Sequence, residues 1–246
     1  MPIEEFDDST KIDPLSIIGG LRQPDFDKPL MWPAGKASAI AYVDGAFPED
    51  FCSSLIALCQ SLPDKSFQGK TLGGVHLETK VSTDWHLDQA AGLPETAEQE
   101  YDKRIFDQLW RVLDLYRGNI PQLANPGNVD QCMVSDTGYQ IQCYPRQSGF
   151  YGEHIDGAPW LNAASTRTLG VIVYLNTVVD GGGTMFPMHN LVVDAVAGRV
   201  AVFPANWTHP HCGMMPMSED KWIISTFVMS AVSQGTACSC GACAPK

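Results

Sequence analysis

The second half of the chain consists of short runs of β-branched and aromatic residues separated by turn clusters. The runs are MVSDTGYQIQCYP, TLGVIVYLNTVV, NLVVDAVAGRVAVFP and KWIISTFVMSAV, and the turns are RQSG, DGGG, AVAG and MSED. Closely spaced strands without intervening helices are typical of an antiparallel sandwich or barrel. The pattern therefore predicts a β core that begins at about residue 130.

The first half of the chain mixes helical and extended patterns. Residues 38–47 and 75–85 alternate between apolar and polar positions and are predicted to be strands. Residues 48–62 and 94–120 have apolar positions at helical spacing and are predicted to be helices, and we expect the helix at 94–120 to pack against a sheet.

The patterns divide the chain into three parts around one domain. A segment rich in Pro, Gly and Asp is predicted to be an N-terminal extension, and the last residues form a tail with three cysteines, Cys238, Cys240 and Cys243. We interpret the tail as loose and reduced, with zinc binding as the alternative. The predicted boundaries are 1–36 for the extension, 37–232 for a single domain (support at 37–129, β core at 130–232) and 233–246 for the tail.

Composition excludes several classes of partner. The chain has 246 residues and a net charge of −12, which argues against nucleic acid or an anionic membrane as its main partner. No run of apolar residues is long enough for a transmembrane helix, and the acidic start does not have the pattern of a secretory signal. We therefore expect a cytoplasmic protein whose cysteines are reduced thiols.

One stretch of the chain carries candidate metal ligands. His154 and Asp156 lie two positions apart in YGEHID, so on an extended backbone both side chains point to the same face. The stretch HPH, with His209 and His211, offers a third ligand. Two imidazoles and one carboxylate form the facial triad of non-haem iron oxygenases, although zinc sites use similar groups.

Lys221 makes the iron interpretation more specific. It begins the apolar run KWIISTFV, where a lone cation needs a carboxylate partner. The carboxylate of a bound co-substrate would be such a partner, whereas the alternative is a solvated lysine at a strand edge. Together with the triad, the first interpretation is favoured.

From about residue 38 to residue 230 the chain resembles the prolyl 4-hydroxylase-type 2-oxoglutarate/Fe(II) dioxygenases. The resemblance rests on CYPRQSGFYGEHID, TRTLGVIVYLN, GGGTMFP, AGRVAVFPANWTHPHCG and KWIISTFV, which occur in the order that the family has. It implies a mainly β fold with supporting helices, whose core is a double-stranded β-helix of the jelly-roll or cupin-like kind.

The resemblance also implies roles for individual residues. His154, Asp156 and His211 are expected to bind Fe(II), with His209 as the alternative third ligand. The implied co-substrates are 2-oxoglutarate and O₂, with ascorbate as a reductant. Around 2-oxoglutarate we expect Lys221, Tyr174, Tyr144, Ser225 and Thr184, and on the substrate side Arg167, Trp160 and Phe227.

The implied activity is hydroxylation of an unactivated C–H bond, with succinate and CO₂ as co-products. Asp156 favours this outcome, because related halogenases have Gly or Ala at the carboxylate position. Cyclisation, desaturation or epoxidation by the same oxidising chemistry is the first alternative. The others are a zinc hydrolase with the same ligands and a binding protein that has kept the fold.

The expected substrate is a small molecule, an amino acid or a prolyl-type peptide. Segments 64–92 and 156–168, which include Trp85, Trp160 and Leu161, are predicted to form lids over the site. Trp160 is a candidate to stack on a substrate, and the alternative is an aromatic side chain packed within its loop.

Overall fold

A computed structural model describes residues 29–71, 73–87, 97–120, 133–157 and 165–231. The predicted cysteine tail and most of the N-terminal extension lie outside these ranges, as does Trp160. The domain boundaries and the role of Trp160 therefore stay predictions.

Two α-helices occur in the described residues, and both were predicted from helical spacing. Helix α1 covers Glu49–Ser61 and has Glu49 and Asp50 in its first turn, where carboxylates interact favourably with the helix dipole. Helix α2 covers Ala97–Asn119 and buries one face, which includes Ile105, Leu109 and Val112. Neither helix combines the length and the apolarity that crossing a bilayer would require.

The larger sheet is antiparallel and has eight strands. Its order is β1-β11-β8-β13-β6-β4-β2, and β5 also pairs with β13. The bounds are β1 (Ala41–Val43), β2 (Phe67–Gln68), β4 (Thr83–His86), β5 (Met133–Asp136), β6 (Gln140–Tyr144), β8 (Ser165–Tyr174), β11 (Val200–Pro204) and β13 (Lys221–Ala231).

The smaller sheet has five strands in the order β10-β9-β12-β7-β3. Together the two antiparallel sheets and the two helices confirm the predicted mainly β class with a jelly-roll core. The bounds are β3 (Lys80–Val81), β7 (Phe150–His154), β9 (Thr184–Phe186), β10 (Leu191–Val193) and β12 (His211–Gly213).

The prediction of one strand at 75–85 was wrong. The chain instead forms β3 in the smaller sheet and, after Ser82, β4 in the larger sheet. Trp85 on β4 is also no lid residue, because it stacks on Trp222 with ring centroids 5.3 Å apart inside the core.

The core has two parts, which lie on opposite faces of the larger sheet. One is the cluster in which helix residues such as Leu55 and Leu109 pack with Val171, Val173 and Ile224 of the sheet. The other contains Ile172, Tyr174, Phe186, Phe203 and Ile223, from both sheets. The alternation along β8 and β13 thus directs one set of side chains to the helices and the other to the interior between the sheets.

Candidate active site

A cavity of about 440 Å³ opens between the two sheets. Most of the predicted site residues that fall in the described ranges line it. They are His154, Asp156, His211, Lys221, Tyr144, Thr184, Ser225, Phe227 and Arg167.

Three potential metal ligands converge at one side of this cavity. His154 is the last residue of β7, His211 is the first residue of β12, and the two are paired across the smaller sheet. Asp156 follows β7 by two residues, and its Oδ1 and Oδ2 lie 3.4 Å from His154 Nε2 and 3.6 Å from His211 Nε2. Ligand atoms of all three side chains lie within 4.8 Å of one another, which suits a single ion.

Main-chain carbonyls orient both histidines. His154 Nδ1 lies 2.8 Å from the carbonyl oxygen of Gly152, and His211 Nδ1 lies 3.1 Å from that of His209. Since a carbonyl oxygen only accepts, each neutral imidazole carries its proton on Nδ1. The Nε2 lone pairs are then directed towards Asp156 and are available to a metal.

The electrostatics of the group also suit a cation. Burial alone would raise the pKa of Asp156, but the close contact with His154 and the positive charge that His211, His154 and Arg167 can carry outweigh it and lower that pKa. Burial lowers the pKa of His211, which favours its neutral form. An ionised carboxylate at Asp156 and a neutral imidazole at His211 match the protonation state that metal binding requires.

His209, the alternative third ligand, lies apart from this group. Its Nε2 is 2.6 Å from the carbonyl oxygen of Ser38, and its ring stacks on His189 with centroids 4.6 Å apart. Its side chain therefore fastens the segment before β12 to the segment before β1.

Lys221 is buried, with 2% relative exposure, and borders the cavity at the start of β13. Burial lowers the pKa of its ammonium group to about 7. No carboxylate among the described residues forms an ion pair with it, and the ring of Tyr144 lies 4.5 Å from Nζ. A buried cation without an anionic partner is costly, which makes this end of the cavity suited to an anion.

Tyr174 does not line the cavity. Its hydroxyl donates to Thr184 Oγ1 at 2.7 Å and lies 3.3 Å from the carbonyl oxygen of Val193. Thr184 does line the cavity, so Tyr174 reaches the site through Thr184.

The inward face of β13 forms one wall of the cavity. Lys221, Ile223, Ser225 and Phe227 alternate along the strand and all border the cavity. The guanidinium of Arg167 lies over the ring of Phe227 at 3.9 Å. A wall that changes from charged to polar to aromatic can contact different parts of a bound molecule.

A buried polar network next to this wall was not predicted from the sequence. Lys80 Nζ donates to Asp84 Oδ2 at 2.9 Å, and Gln140 Nε2 donates to the same oxygen at 3.0 Å. Gln142 Nε2 donates to Gln140 Oε1 at 2.9 Å, and Tyr144 donates to Gln142 Oε1 at 2.7 Å. The alternation of Asp84, Gln140 and Gln142 with apolar neighbours marks inward-facing polar residues, which was the available signal.

Gly170 allows the triad to lie close to the larger sheet. A Cβ atom at this position of β8 would lie 2.6 Å from Asp156 Oδ2 and 2.6 Å from the ring of Phe203. Glycine within a strand often marks such a close approach.

Comparison with known proteins agrees with the fold. Residues 139–229 match the 2OG-Fe(II) oxygenase superfamily. Among curated proteins, none matches the chain significantly.

Solved prolyl hydroxylases share the fold. The viral collagen prolyl hydroxylase of Paramecium bursaria Chlorella virus-1, as its 2OG complex, has a TM-score of 0.58 at 17% identity, covering 80% of this chain and 98% of its own. A Trichoplax adhaerens prolyl hydroxylase in complex with a hypoxia inducible factor peptide fragment has a TM-score of 0.60 at 18% identity. The match covers 79% of this chain and 85% of the Trichoplax chain. A Pseudomonas putida prolyl-4-hydroxylase has a TM-score of 0.56 at 19% identity, and the match covers 78% of this chain and 94% of the Pseudomonas chain.

The matched residues 139–229 contain all three members of the His-Asp-His group, which fits an iron-binding triad. Fe(II), 2-oxoglutarate and O₂ are the cofactor and co-substrates of the superfamily. The match over residues 139–229 and the shared fold together support a dioxygenase of the 2OG-Fe(II) type.

Proposed function

We propose that His154 and His211, through Nε2, and Asp156, through its carboxylate, bind Fe(II), and that the enzyme hydroxylates a C–H bond. The observation that carries the proposal is the convergence of the three ligand atoms within 4.8 Å, with both Nδ1 atoms bound to main-chain carbonyls. Three ligands on one side of an ion leave coordination positions for a co-substrate and O₂.

Lys221 holds the distal carboxylate of 2-oxoglutarate in this proposal. Its buried ammonium has no carboxylate partner among the described residues, and it lies in the same cavity as the triad. Thr184 borders this region and supplies a hydroxyl group, which Tyr174 orients by donating to it. Tyr144 contributes its ring beside Lys221.

The bound iron supplies the activation of O₂, and the chain supplies position and shielding. Phe203 and Ile172 border the cavity with apolar surface, which limits the access of water to the bound co-substrate. Phe227 and Arg167 border it farther along the inward faces of β13 and β8 and contact the substrate, a role also proposed for Trp160.

The substrate is a small molecule, an amino acid or a prolyl-type peptide. The three solved relatives described above are named as prolyl hydroxylases, and one of them holds a peptide fragment. Hydroxylation is the proposed outcome, and oxidative cyclisation, desaturation or epoxidation would use the same groups.

A zinc hydrolase is less consistent with the described residues. Such an enzyme needs a general base beside the ligands, and Glu153, the adjacent carboxylate, is exposed on β7. It would also have no use for the unpaired buried cation at Lys221.

One anaerobic experiment tests the proposal. Fe(II) and 2-oxoglutarate are added to the purified protein, and the visible metal-to-ligand charge-transfer band is recorded before O₂ is admitted. We expect the band and then succinate formation. Absence of both in Fe(II)-loaded protein would falsify the proposed function, whereas zinc-dependent hydrolysis of model esters would favour the hydrolase.

A further inference from the structure

Two of the four basic side chains that border the cavity have an assigned carboxylate partner, and two do not. The basic side chains that border it are Lys70, Lys80, Arg167 and Lys221, apart from the histidines. Lys80 is paired with Asp84, and the proposed function assigns the co-substrate carboxylate to Lys221. Lys70 and Arg167 have no carboxylate within ion-pair distance among the residues that the structure describes.

The metal and its ligands do not neutralise these two cations. Asp156 is the one carboxylate that lines the cavity in the described residues, and the proposed function assigns it to the metal. A divalent metal ion, one aspartate and the two carboxylates of 2-oxoglutarate carry a net charge of about −1, which Lys221 cancels. Counted over the described residues, the cavity therefore keeps an excess of positive charge, in a chain whose net charge is −12.

Arg167 is held in a defined position beside the triad. Its guanidinium lies on the ring of Phe227, and Nη1 donates to the carbonyl oxygen of Asp156 at 3.1 Å. Among the residues that the structure describes, Nε and Nη2 have no further acceptor. A planar guanidinium with free donors is the side chain best suited to bind a carboxylate through two hydrogen bonds.

The neighbouring wall adds neutral donors. Asp84 accepts from both Lys80 and Gln140, and this fixes the orientation of the amides of Gln140 and Gln142. Each amide nitrogen uses one of its two N–H groups within the network, and both glutamines border the cavity. As far as the described residues go, the second N–H group of each amide is then available to an acceptor on a bound molecule.

We propose that the primary substrate is a compact carboxylic acid, and that Arg167 binds its carboxylate with Lys70 attracting it at the rim. This inference rests on the proposed function and specifies its substrate class. Because Arg167 is fastened to the main chain of Asp156, a carboxylate bound there lies near the metal. The carbon that is oxidised is therefore separated from the carboxylate by a short chain of bonds.

The test uses matched pairs of small carboxylic acids and their primary amides, including amino acids and amino acid amides. Each compound is added anaerobically to protein that holds Fe(II) and 2-oxoglutarate, and the shift of the charge-transfer band gives its Kd. Succinate formation after O₂ is admitted gives turnover. We expect acids to shift the band and stimulate succinate formation, and their amides to do neither.

Three variants locate the effect. Arg167→Gln should raise the Kd of the acids by about tenfold or more and that of 2-oxoglutarate by less than about twofold. Lys70 lies away from the triad, and Lys70→Gln should raise the Kd of the acids by about twofold to fivefold. This increase should be smaller at high salt. Lys103→Gln removes the same charge from an exposed position on α2 and should change neither Kd.

Several results would overturn the inference. Amides that bind as well as their acids, or a band that forms normally but responds to no acid in the set, would each reject an acidic substrate. If Arg167→Gln also disturbs the charge-transfer band, the Kd of the acids is compared between Lys70→Gln and Lys103→Gln instead. Equal Kd values in these two variants would reject the proposal. A wild-type protein that forms no band at all instead rejects the proposed function.

Discussion

At the residue scale, the proposed role of Lys221 predicts that co-substrate binding depends on pH. Burial lowers its pKa to about 7 in the free protein, and a bound carboxylate would raise that pKa again. Above the lower pKa, binding must therefore take up a proton. The Kd of 2-oxoglutarate should rise with pH by up to about tenfold per unit above roughly pH 7.

Titration of the charge-transfer band across roughly pH 6 to 9 measures this dependence. Lys221→Arg keeps its charge throughout this range and should flatten the curve. Lys221→Ala should weaken 2-oxoglutarate binding far more than iron binding. Equal losses of both would mean that the lysine has a structural role only.

The two histidines of HPH are predicted to respond differently to substitution. His211→Ala removes a ligand atom of the converging group, and its iron content should fall to a small fraction of the wild-type value. His209→Ala removes the contact with Ser38 and should retain most of the iron, with a loss of stability of about 1–2 kcal/mol. Metal analysis after gel filtration decides, and iron retained by His211→Ala would contradict the assignment.

Residue spacing anticipated the triad because i, i+2 positions on an extended backbone share a face. It could not decide between His209 and His211, since both satisfy the same spacing. The choice depends on the neighbours that the fold brings close, which are Ser38 for His209 and Asp156 for His211. The position of Tyr174 behind Thr184 likewise depends on packing between the sheets.

At the element scale, the crossing from β3 to β4 joins the two sheets through a buried ion pair. The side chains of Lys80 and Asp84 are 2% and 0% exposed. Asp84→Asn leaves the buried ammonium of Lys80 without a countercharge, and the free energy of unfolding should fall by about 3–5 kcal/mol. Denaturant unfolding followed by fluorescence measures the loss.

A second ion pair supplies the control for Asp84→Asn. Asp44 pairs with Arg199, but the Asp44 side chain is 47% exposed. Asp44→Asn should therefore cost about 1 kcal/mol or less. Similar losses in the two variants would show that burial of the Lys80–Asp84 pair adds nothing to stability.

Strand β8 has a glycine, Gly170, where it passes close to Asp156 of the candidate metal site. Gly170→Ala introduces a methyl group 2.6 Å from Asp156 Oδ2, so the carboxylate must move and iron affinity should fall by about tenfold or more. Gly118→Ala on α2, where an added Cβ would meet no described residue outside its own helix within 4 Å, should leave iron affinity unchanged and raise stability by about 0.5–1 kcal/mol. Unchanged iron affinity in Gly170→Ala would show that Asp156 tolerates the displacement.

Periodicity predicted the longer elements well. Helices α1 and α2 and the long strands β8 and β13 all have clear apolar periods. Strands β9 and β12 have only three residues each, which is too short for a period, and their pairing partners are distant in the chain. The alternation of apolar and polar residues continues from β3 into β4, so the sequence pattern does not reveal that the chain passes from one sheet to the other between these strands. That division depends on tertiary contacts.

At the scale of the whole molecule, the site spans both sheets. The triad lies at β7 and β12 of the smaller sheet, while Lys221 begins β13 of the larger sheet. In the proposed function the metal binds at the smaller sheet, and 2-oxoglutarate connects the metal to the larger sheet. The fold class can be predicted from the spacing of the strands along the sequence. That the triad and the start of β13 face each other depends on how the two sheets close into a jelly roll.

This arrangement predicts stepwise stabilisation by ligands. Fe(II) at about 100-fold above its Kd should add about 2.7 kcal/mol to the free energy of unfolding, and 2-oxoglutarate should add a similar amount. Thermal unfolding under anaerobic conditions should thus show two successive rises in Tm. Lys221→Ala should keep the first rise and lose the second, and loss of both would indicate misfolding.

The hydrogen bonds from the two ligand histidines have a consequence for how such a protein diversifies. Each Nδ1 contacts the carbonyl oxygen two residues earlier on its own segment, so the orientation of each ring is encoded locally. Substitutions at Arg167, Lys70 or the glutamines of β6 therefore leave these supports in place. The side chains proposed to contact the substrate are thus distinct from the groups that orient the two histidines, so a change of substrate requires no change in either of these supports.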